Sequence, residues 1–168
     1  MIALFFAFLL ILAVQRLGEL RVSARHEVAL RARGAVEAGA GHFPMEVVAQ
    51  VVWMAAMVVE VLFLGARPWS VWWVFALLYV AAEALRAWAI ATLGERWTVR
   101  VLVLPGTPLV AGGPYRWMRH PNYVAVAIET VAAPLIFGGW RSAIVGAVFY
   151  GAALAVRLQV EDRALRNA

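Results

Sequence analysis

Residues 47–64, VVAQVVWMAAMVVEVLFL, run for eighteen positions with one charge, Glu60, near the far end. That is long and apolar enough to cross the hydrocarbon of a bilayer as a single helix, the one conformation that lets an isolated segment satisfy its own backbone there. Pro44 upstream suits a first helical turn, and Gly65, Arg67 and Pro68 break the pattern downstream. Two more apolar runs flank this one. Residues 2–14 form the first, which lacks a basic leader and runs on into Gln15, Arg16 and Glu19, so it reads as a retained helix and not a cleaved signal. Residues 69–93 form the other, with Trp69, Trp72 and Trp73 at one end, where indole rings settle at the headgroup level.

The composition agrees. Of 168 residues, 64% are hydrophobic and 15% charged, against roughly half and a quarter in soluble domains. The length holds four or five spanning helices with short loops, and no separate soluble domain. All fifteen basic residues are arginine and the net charge is +5. They sit at the ends of apolar runs, where lipid headgroups and topology account for them better than nucleic acid does. Cysteine is absent, which removes disulfides, thiolate nucleophiles and cysteine metal sites.

The reading is therefore an all-α polytopic membrane protein of about five transmembrane helices in one domain, 1–168. Residues 1–93 carry three spans, with an interfacial helix and loop at 21–44 that is basic and then glycine-rich. Residues 94–168 carry a polar loop and a C-terminal helical hairpin, its arms at 122–137 and 142–160 around a Gly138, Gly139 turn. Ala143, Ala147, Gly151 and Ala155 make a small-residue stripe on the second arm, expected to pack closely. One side of the membrane collects Arg21, Arg25, Arg31, Arg33, Arg96, Arg100, Arg116, Arg119, Arg163 and Arg166, and the other has Arg67 and Arg141. The positive-inside rule makes the richer side cytoplasmic.

Three places could carry chemistry. Residues 112–123, GGPYRWMRHPNY, put glycines, arginines, His120 and two tyrosines at a membrane boundary. Glycine lets backbone approach a ligand, Pro121 can open a helix whose free N–H groups hold an anion, and a plain basic anchor is the competing reading. Arg157 and Glu161 lie one helical turn apart and are returned by the hairpin to that segment; Glu161 could accept from ribose hydroxyls, or the two could form a simple ion pair. Third come the charges inside apolar runs, Glu60, Glu83, Arg86 and Glu129, each costing roughly 2.5–3.5 kcal/mol unless partnered. Glu83 and Arg86 most simply pair with each other. Glu129 is either a general base beside a buried substrate or the structural partner of Arg86 or Arg157. Glu37, His42 and Glu46 could touch a substrate near the second helix, or headgroups. No HExxH, paired histidines, GxSxG, GxxxxGK or GxGxxG occurs, so zinc-hydrolase, serine-hydrolase, nucleotidase and Rossmann readings lack support and no metal site is expected.

The GPYRWMRHPNY run followed some forty residues later by RLQVED resembles the isoprenylcysteine carboxyl methyltransferase family. Gly113, Tyr115, Arg119, His120, Pro121, Tyr123, Arg157, Glu161 and Asp162 fall on its pattern, with Asp162 where glutamate is common and Thr107 where many relatives have histidine. The resemblance implies a multi-spanning enzyme using S-adenosylmethionine. Leu109, Val110, Gly113, Tyr115, His120, Tyr123 and Glu161 would line the cofactor, with Arg157 near the reacting groups. The segments LGERWTVRV, HPNYVAVAIE and QRLGEL look more like a bacterial branch associated with type III polyketide synthases, whose members are thought to O-methylate alkylpyrones or phenolic lipids. That implies a lipophilic acceptor drawn from the bilayer and a cofactor site on the cytoplasmic face of a bacterial inner membrane. A lipid N-methyltransferase and a non-catalytic lipid-binding protein are the competing functions, and the oligomeric state is not readable.

Overall fold

A computed structural model of the protein describes residues 1–38 and 43–166, with backbone alone at Phe43, Asp162, Leu165 and Arg166. Among the described residues there are five α-helices: α1 (Ile2–Ala32), α2 (Phe43–Phe63), α3 (Trp72–Leu93), α4 (Pro121–Ile136) and α5 (Trp140–Arg166). Two short strands, β1 (Val36–Glu37) and β2 (Leu102–Val103), pair antiparallel with Val36 opposite Val103. The protein is an all-α polytopic membrane protein. Four of the helices, α1, α2, α3 and α5, are long and apolar enough to cross a bilayer, while α4 has 16 residues. At 1.5 Å per residue that is about 24 Å, short of the roughly 30 Å hydrocarbon layer. The five expected crossings are thus four full-length helices and one short one.

The helices alternate in direction. Phe5 at the start of α1 packs edge-on against Phe137 at the end of α4, ring centres 5.1 Å apart. Glu60 at the end of α2 accepts from the backbone N–H groups of Arg141 and Ser142 at 3.0 and 2.6 Å, and from the Ser142 hydroxyl at 2.5 Å. This buried carboxylate therefore sits on the N-terminus of α5, where unpaired N–H groups favour an anion. Gly138 makes the α4–α5 turn with φ +78°, and any side chain there would collide with the Arg67 backbone.

Against expectation, residues 21–32 are not a separate interfacial helix: α1 runs unbroken for 31 residues, about 46 Å. No glycine or proline interrupts it between Gly18 and Gly34, and its last turns are held from the side. Ser23 Oγ accepts from the Val99 N–H at 2.9 Å, and His26 Nδ1 lies 2.8 Å from the Trp97 carbonyl. The polar loop after α3 contributes β2 to the β1–β2 pair and leads into a 3-10 turn at Gly113–Arg116.

The apolar core lies where α1, α2 and α4 meet, with Phe5, Leu12, Trp53, Met57 and Ala133 buried together. Pro134 inside α4 has no N–H, so the Thr130 carbonyl loses its helical partner. Trp53 Nε1 supplies the missing donor at 3.0 Å. Of the small-residue stripe Ala143 is buried but Ala147, Gly151 and Ala155 are exposed, so the stripe is not the packing face of α5 along its length. Instead Ser142, Gly146, Ala153 and Arg157 turn inward, and a Cβ on Gly146 would strike Trp53 and Thr130. Ser142 and Arg157 both need polar partners inside the bundle, and they set the rotation of the helix.

The intramembrane charges also pair differently from expectation. Glu83 accepts from Gln15 Nε2 at 2.7 Å, and Arg86 reaches away from it to Glu19, with Nε at 2.9 Å and Nη2 at 2.5 Å. Arg16 donates to Glu129 at 2.7 Å and to Glu19 at 3.0 Å, and Arg86 lies 3.7 Å from Glu129. Two arginines and two glutamates thus close a neutral square joining α1, α3 and α4. Neighbours on one helix lose here to partners on others because Glu19 offers Arg86 two oxygens at once, the stronger geometry.

Candidate active site

The hairpin brings the GGPYRWMRHPNY and RLQVED segments together. Tyr123, in the first turn of α4, donates its hydroxyl to Glu161 on α5 and accepts from Arg157 Nε at 2.8 Å. Arg157 also binds Glu46 at 2.7 Å and lies 5.3 Å from the centre of the Tyr123 ring. His120 stacks on Tyr123, ring centres 5.2 Å apart and planes 7° from parallel, with Nδ1 3.9 Å from Glu161. Tyr115 is half-buried in the 3-10 turn, where burial and then the nearby Glu161 carboxylate push its hydroxyl pKa up, keeping it protonated.

Gly113 has φ +52°, and a Cβ there would collide with Thr92 on α3, which is how the 3-10 turn seats against that helix. Leu109 and Val110 lie in the same loop, tied to the end of α3 by Arg96 donating to the Pro108 carbonyl at 2.7 Å. Leu109 is 64% exposed, an apolar side chain with nothing over it. No described contact joins these two to Glu161. Thr107 donates its hydroxyl to the Leu104 carbonyl at 2.7 Å, so it is spent on its own turn. His42 and the Asp162 side chain lie outside the described residues. Glu37 is drawn into the strand pair by Arg31 and Arg100, away from the site.

Glu129 is buried and ion-paired, and it does not line the nearby cavity. Its carboxylate accepts from Arg16 at 2.7 Å and lies 3.7 Å from Arg86, so the geometry favours the structural partnership. Arg86 is one of its partners, Arg16 the other.

The sequence reading missed the cavity itself, about 190 Å³, enclosed by all five helices and the segment after α3. Tyr123 and Arg157 form one wall, facing Glu161 and His120 on their other side. Arg16, Gln50, Trp97 and Tyr150 line the interior. Leu20, Val47 and Val51 also line it and are exposed on the outer surface of the bundle, so its rim is apolar and open toward lipid. Arg16 and Gln50 were legible as polar residues in apolar runs; nothing in spacing alone would have aimed them at one space. A larger recess of about 320 Å³ at the opposite end is lined by Glu60, whose carboxylate is occupied by α5.

This is a polytopic membrane protein with a polar site at one end of its bundle, walled off from a lipid-facing cavity by a tyrosine and an arginine. The isoprenylcysteine carboxyl methyltransferase (ICMT) family model matches residues 73–167, and the chain belongs to that family of membrane methyltransferases. It is 34% identical over 164 residues to the uncharacterized protein YpbQ of Bacillus subtilis, covering 98% of each chain. It is 30% identical over 161 residues to an uncharacterized protein of Haemophilus influenzae, covering 95% of this chain and 93% of the other. No solved structure matches it.

Proposed function

We propose that the protein is an S-adenosylmethionine-dependent methyltransferase acting on an oxygen, as enol, phenol or carboxylate, of a lipophilic acceptor such as an alkylpyrone or a prenylated compound. The observation that carries the reading is the shared wall. Tyr123 and Arg157 touch the Glu161 and His120 cluster on one face and a lipid-open cavity on the other.

The donor set suits the cofactor. Glu161 is a carboxylate able to accept from ribose hydroxyls, Leu109 and Val110 offer apolar contact to a base, and the His120 and Tyr123 rings present π faces to a sulfonium. Gly113 and Tyr115 would complete that side. When bound, S-adenosylmethionine supplies an electrophilic methyl group. The chain's own work is alignment, since methyl transfer needs the acceptor oxygen in line with that methyl and is governed by positioning. Arg157, fixed by Glu46 and Tyr123, favours the anionic form of an oxygen beside it. An enol or carboxylate arrives ionised, and a phenol is helped to lose its proton to water.

The arginine-rich end of the bundle is the end that bears this site, and the positive-inside rule supports assigning it to the cytoplasmic face of a bacterial inner membrane, where a soluble cofactor is available. The test is calorimetry of S-adenosylhomocysteine with the detergent-purified protein and with a His120→Ala, Glu161→Gln double variant. Micromolar binding lost in the variant is expected. A folded wild type that binds nothing would remove the methyltransferase reading. Mass spectrometry of the methylated product separates oxygen from nitrogen acceptors.

A further inference from the structure

The end of the bundle away from Glu161 carries Arg67 in the α2–α3 connection and Arg141 in the first turn of α5, and both line one recess of about 320 Å³. Arginines on this side oppose the charge bias that orients the chain, so topology does not account for them. The walls of the recess are fixed. The Ala66 N–H bonds the Glu60 carbonyl at 3.2 Å, and the α2–α3 connection lies so close to the α4–α5 turn that a Cβ on Gly138 would meet the Arg67 carbonyl. The Arg141 guanidinium lies 4.6 Å from the centre of the Trp140 ring. Trp69 and Trp140 line the recess and are 43% and 46% exposed. Indole rings settle at the headgroup level, so the recess opens at the depth of the lipid phosphates.

Its charge is unbalanced. Glu60 is the one acid lining it, and that carboxylate is turned into α5, where it accepts from the Arg141 and Ser142 N–H groups and the Ser142 hydroxyl. Arg141 Nη1 lies 3.7 Å from Glu60, which leaves Arg141 partly compensated. Arg67 is exposed and has no hydrogen bond or ion pair among the described residues. Two guanidinium groups against one carboxylate leave one positive charge in excess.

That excess matches a monoanion, and guanidinium groups match the oxygens of a phosphate. A ligand bearing an ammonium as well would find no acceptor, since the oxygens of Glu60 are already taken. The volume equals that of about ten waters, room for a phosphodiester with a small polyol head. Leu64, Trp69 and Trp140 set exposed apolar surface beside the two cations, which suits a glycerol backbone and its acyl chains and gives a free phosphate ion nothing.

We propose that this recess holds the head of one anionic phospholipid from the leaflet opposite the Glu161 end, with Arg67 and Arg141 on its phosphate oxygens, and that it rejects heads carrying an ammonium. The lipid ties the α2–α3 connection to the start of α5. The inference is independent of methyl transfer.

The test is native mass spectrometry and thermal unfolding of the delipidated whole chain in detergent micelles, with three probes: dioleoylphosphatidylglycerol, dioleoylphosphatidylethanolamine and inorganic phosphate. One phosphatidylglycerol per chain is expected to bind at least about tenfold more tightly than phosphatidylethanolamine, since an ammonium left without an acceptor costs at least one hydrogen bond. It should raise the melting temperature, and inorganic phosphate at the same concentration should not. Arg67→Gln and Arg141→Gln are each expected to weaken that lipid by about tenfold, or about 1.4 kcal/mol. An Arg21→Gln, Arg25→Gln double variant at the other end should leave it bound. Without lipid, Arg67→Gln should melt as the wild type does, because Arg67 has no partner to lose; a merely structural arginine would lower the lipid-free melting temperature. If Arg141→Gln does not fold, Arg67→Gln carries the test alone.

Equal binding of phosphatidylethanolamine, wild-type phosphatidylglycerol affinity in Arg67→Gln, or loss of the lipid in the Arg21, Arg25 variant instead overturns the proposal. Stabilisation by inorganic phosphate equal to that by the lipid would overturn it too, by making the recess an ion site.

Discussion

Arg157 Nε donates to the Tyr123 hydroxyl at 2.8 Å, and that same hydroxyl donates on to Glu161. One oxygen atom thus orients a cation on the cavity side and an anion on the opposite side. Tyr123→Phe keeps the ring and its stack with His120 but severs both bonds. S-adenosylhomocysteine affinity is expected to fall about tenfold, near 1.4 kcal/mol, as read by calorimetry. Unchanged affinity would reduce Tyr123 to a packing residue.

Glu129 reaches the cavity through Arg16 and Arg86, so Glu129→Gln should act on a molecule bound there and not on the cofactor. The expected result is wild-type S-adenosylhomocysteine affinity, a raised KM for the acceptor and a turnover within about tenfold of wild type. General-base catalysis contributes about 10²–10⁴-fold. A loss of turnover of that size, at unchanged KM, would restore Glu129 as a base.

Trp53 stands in for the N–H that Pro134 lacks. Trp53→Phe leaves the Thr130 carbonyl unpaired in the core, at about 1–3 kcal/mol. In a Pro134→Ala background the helix can supply its own donor, so the same change should cost about 1 kcal/mol less. Equal costs in the two backgrounds, measured by unfolding in micelles, would deny the substitution of one donor for the other.

Glu37 is hydrogen-bonded by Arg100 and Arg31, which hold its carboxyl below the usual carboxylate range. A depressed acid stabilises the fold fully above its unfolded pKa and loses that contribution as pH falls through its folded pKa. Being well solvated, the cluster contributes at most about 1 kcal/mol, or about 2–4 °C. Glu37→Gln should therefore melt slightly lower than wild type at pH 7, with the gap closing below about pH 4. A gap unchanged at acid pH would mean that the ion pairs contribute nothing.

Length and apolar content were enough to read the helices and the hairpin, because both depend on local sequence. The meeting of His120 and Tyr123 with Arg157 and Glu161 was legible too, since an antiparallel hairpin must return its second arm to the start of its first. What spacing could not supply was helix rotation. Glu83 and Arg86, three apart on α3, suggest a pair, yet Arg86 finds both oxygens of Glu19 across the bundle. The stripe at Ala143, Ala147, Gly151 and Ala155 suggests a contact face, but Ser142 and Arg157 turn α5 so that only Ala143 of the four is buried while Gly146 and Ala153 face inward. The cavity was hidden for the same reason. Its walls come from all five helices, and only their joint rotation brings Gln50 and Asn122 to the edge of one volume.

The charge square has a consequence for how the chain is made. Arg16 leaves the ribosome 113 residues before Glu129, so α1 must enter the bilayer long before its partner on α4 exists. A lone central arginine costs about 2.5–3.5 kcal/mol on insertion, but Glu19 lies one turn away at 3.0 Å and neutralises it within the same helix. On α3, Glu83 and Arg86 are spaced so that they can do the same for each other during entry. Of the three helices of the square only α4 arrives with an uncompensated charge, and it arrives last. By then two guanidinium groups are already waiting at mid-membrane, so the order of synthesis matches the order in which the charges can be neutralised.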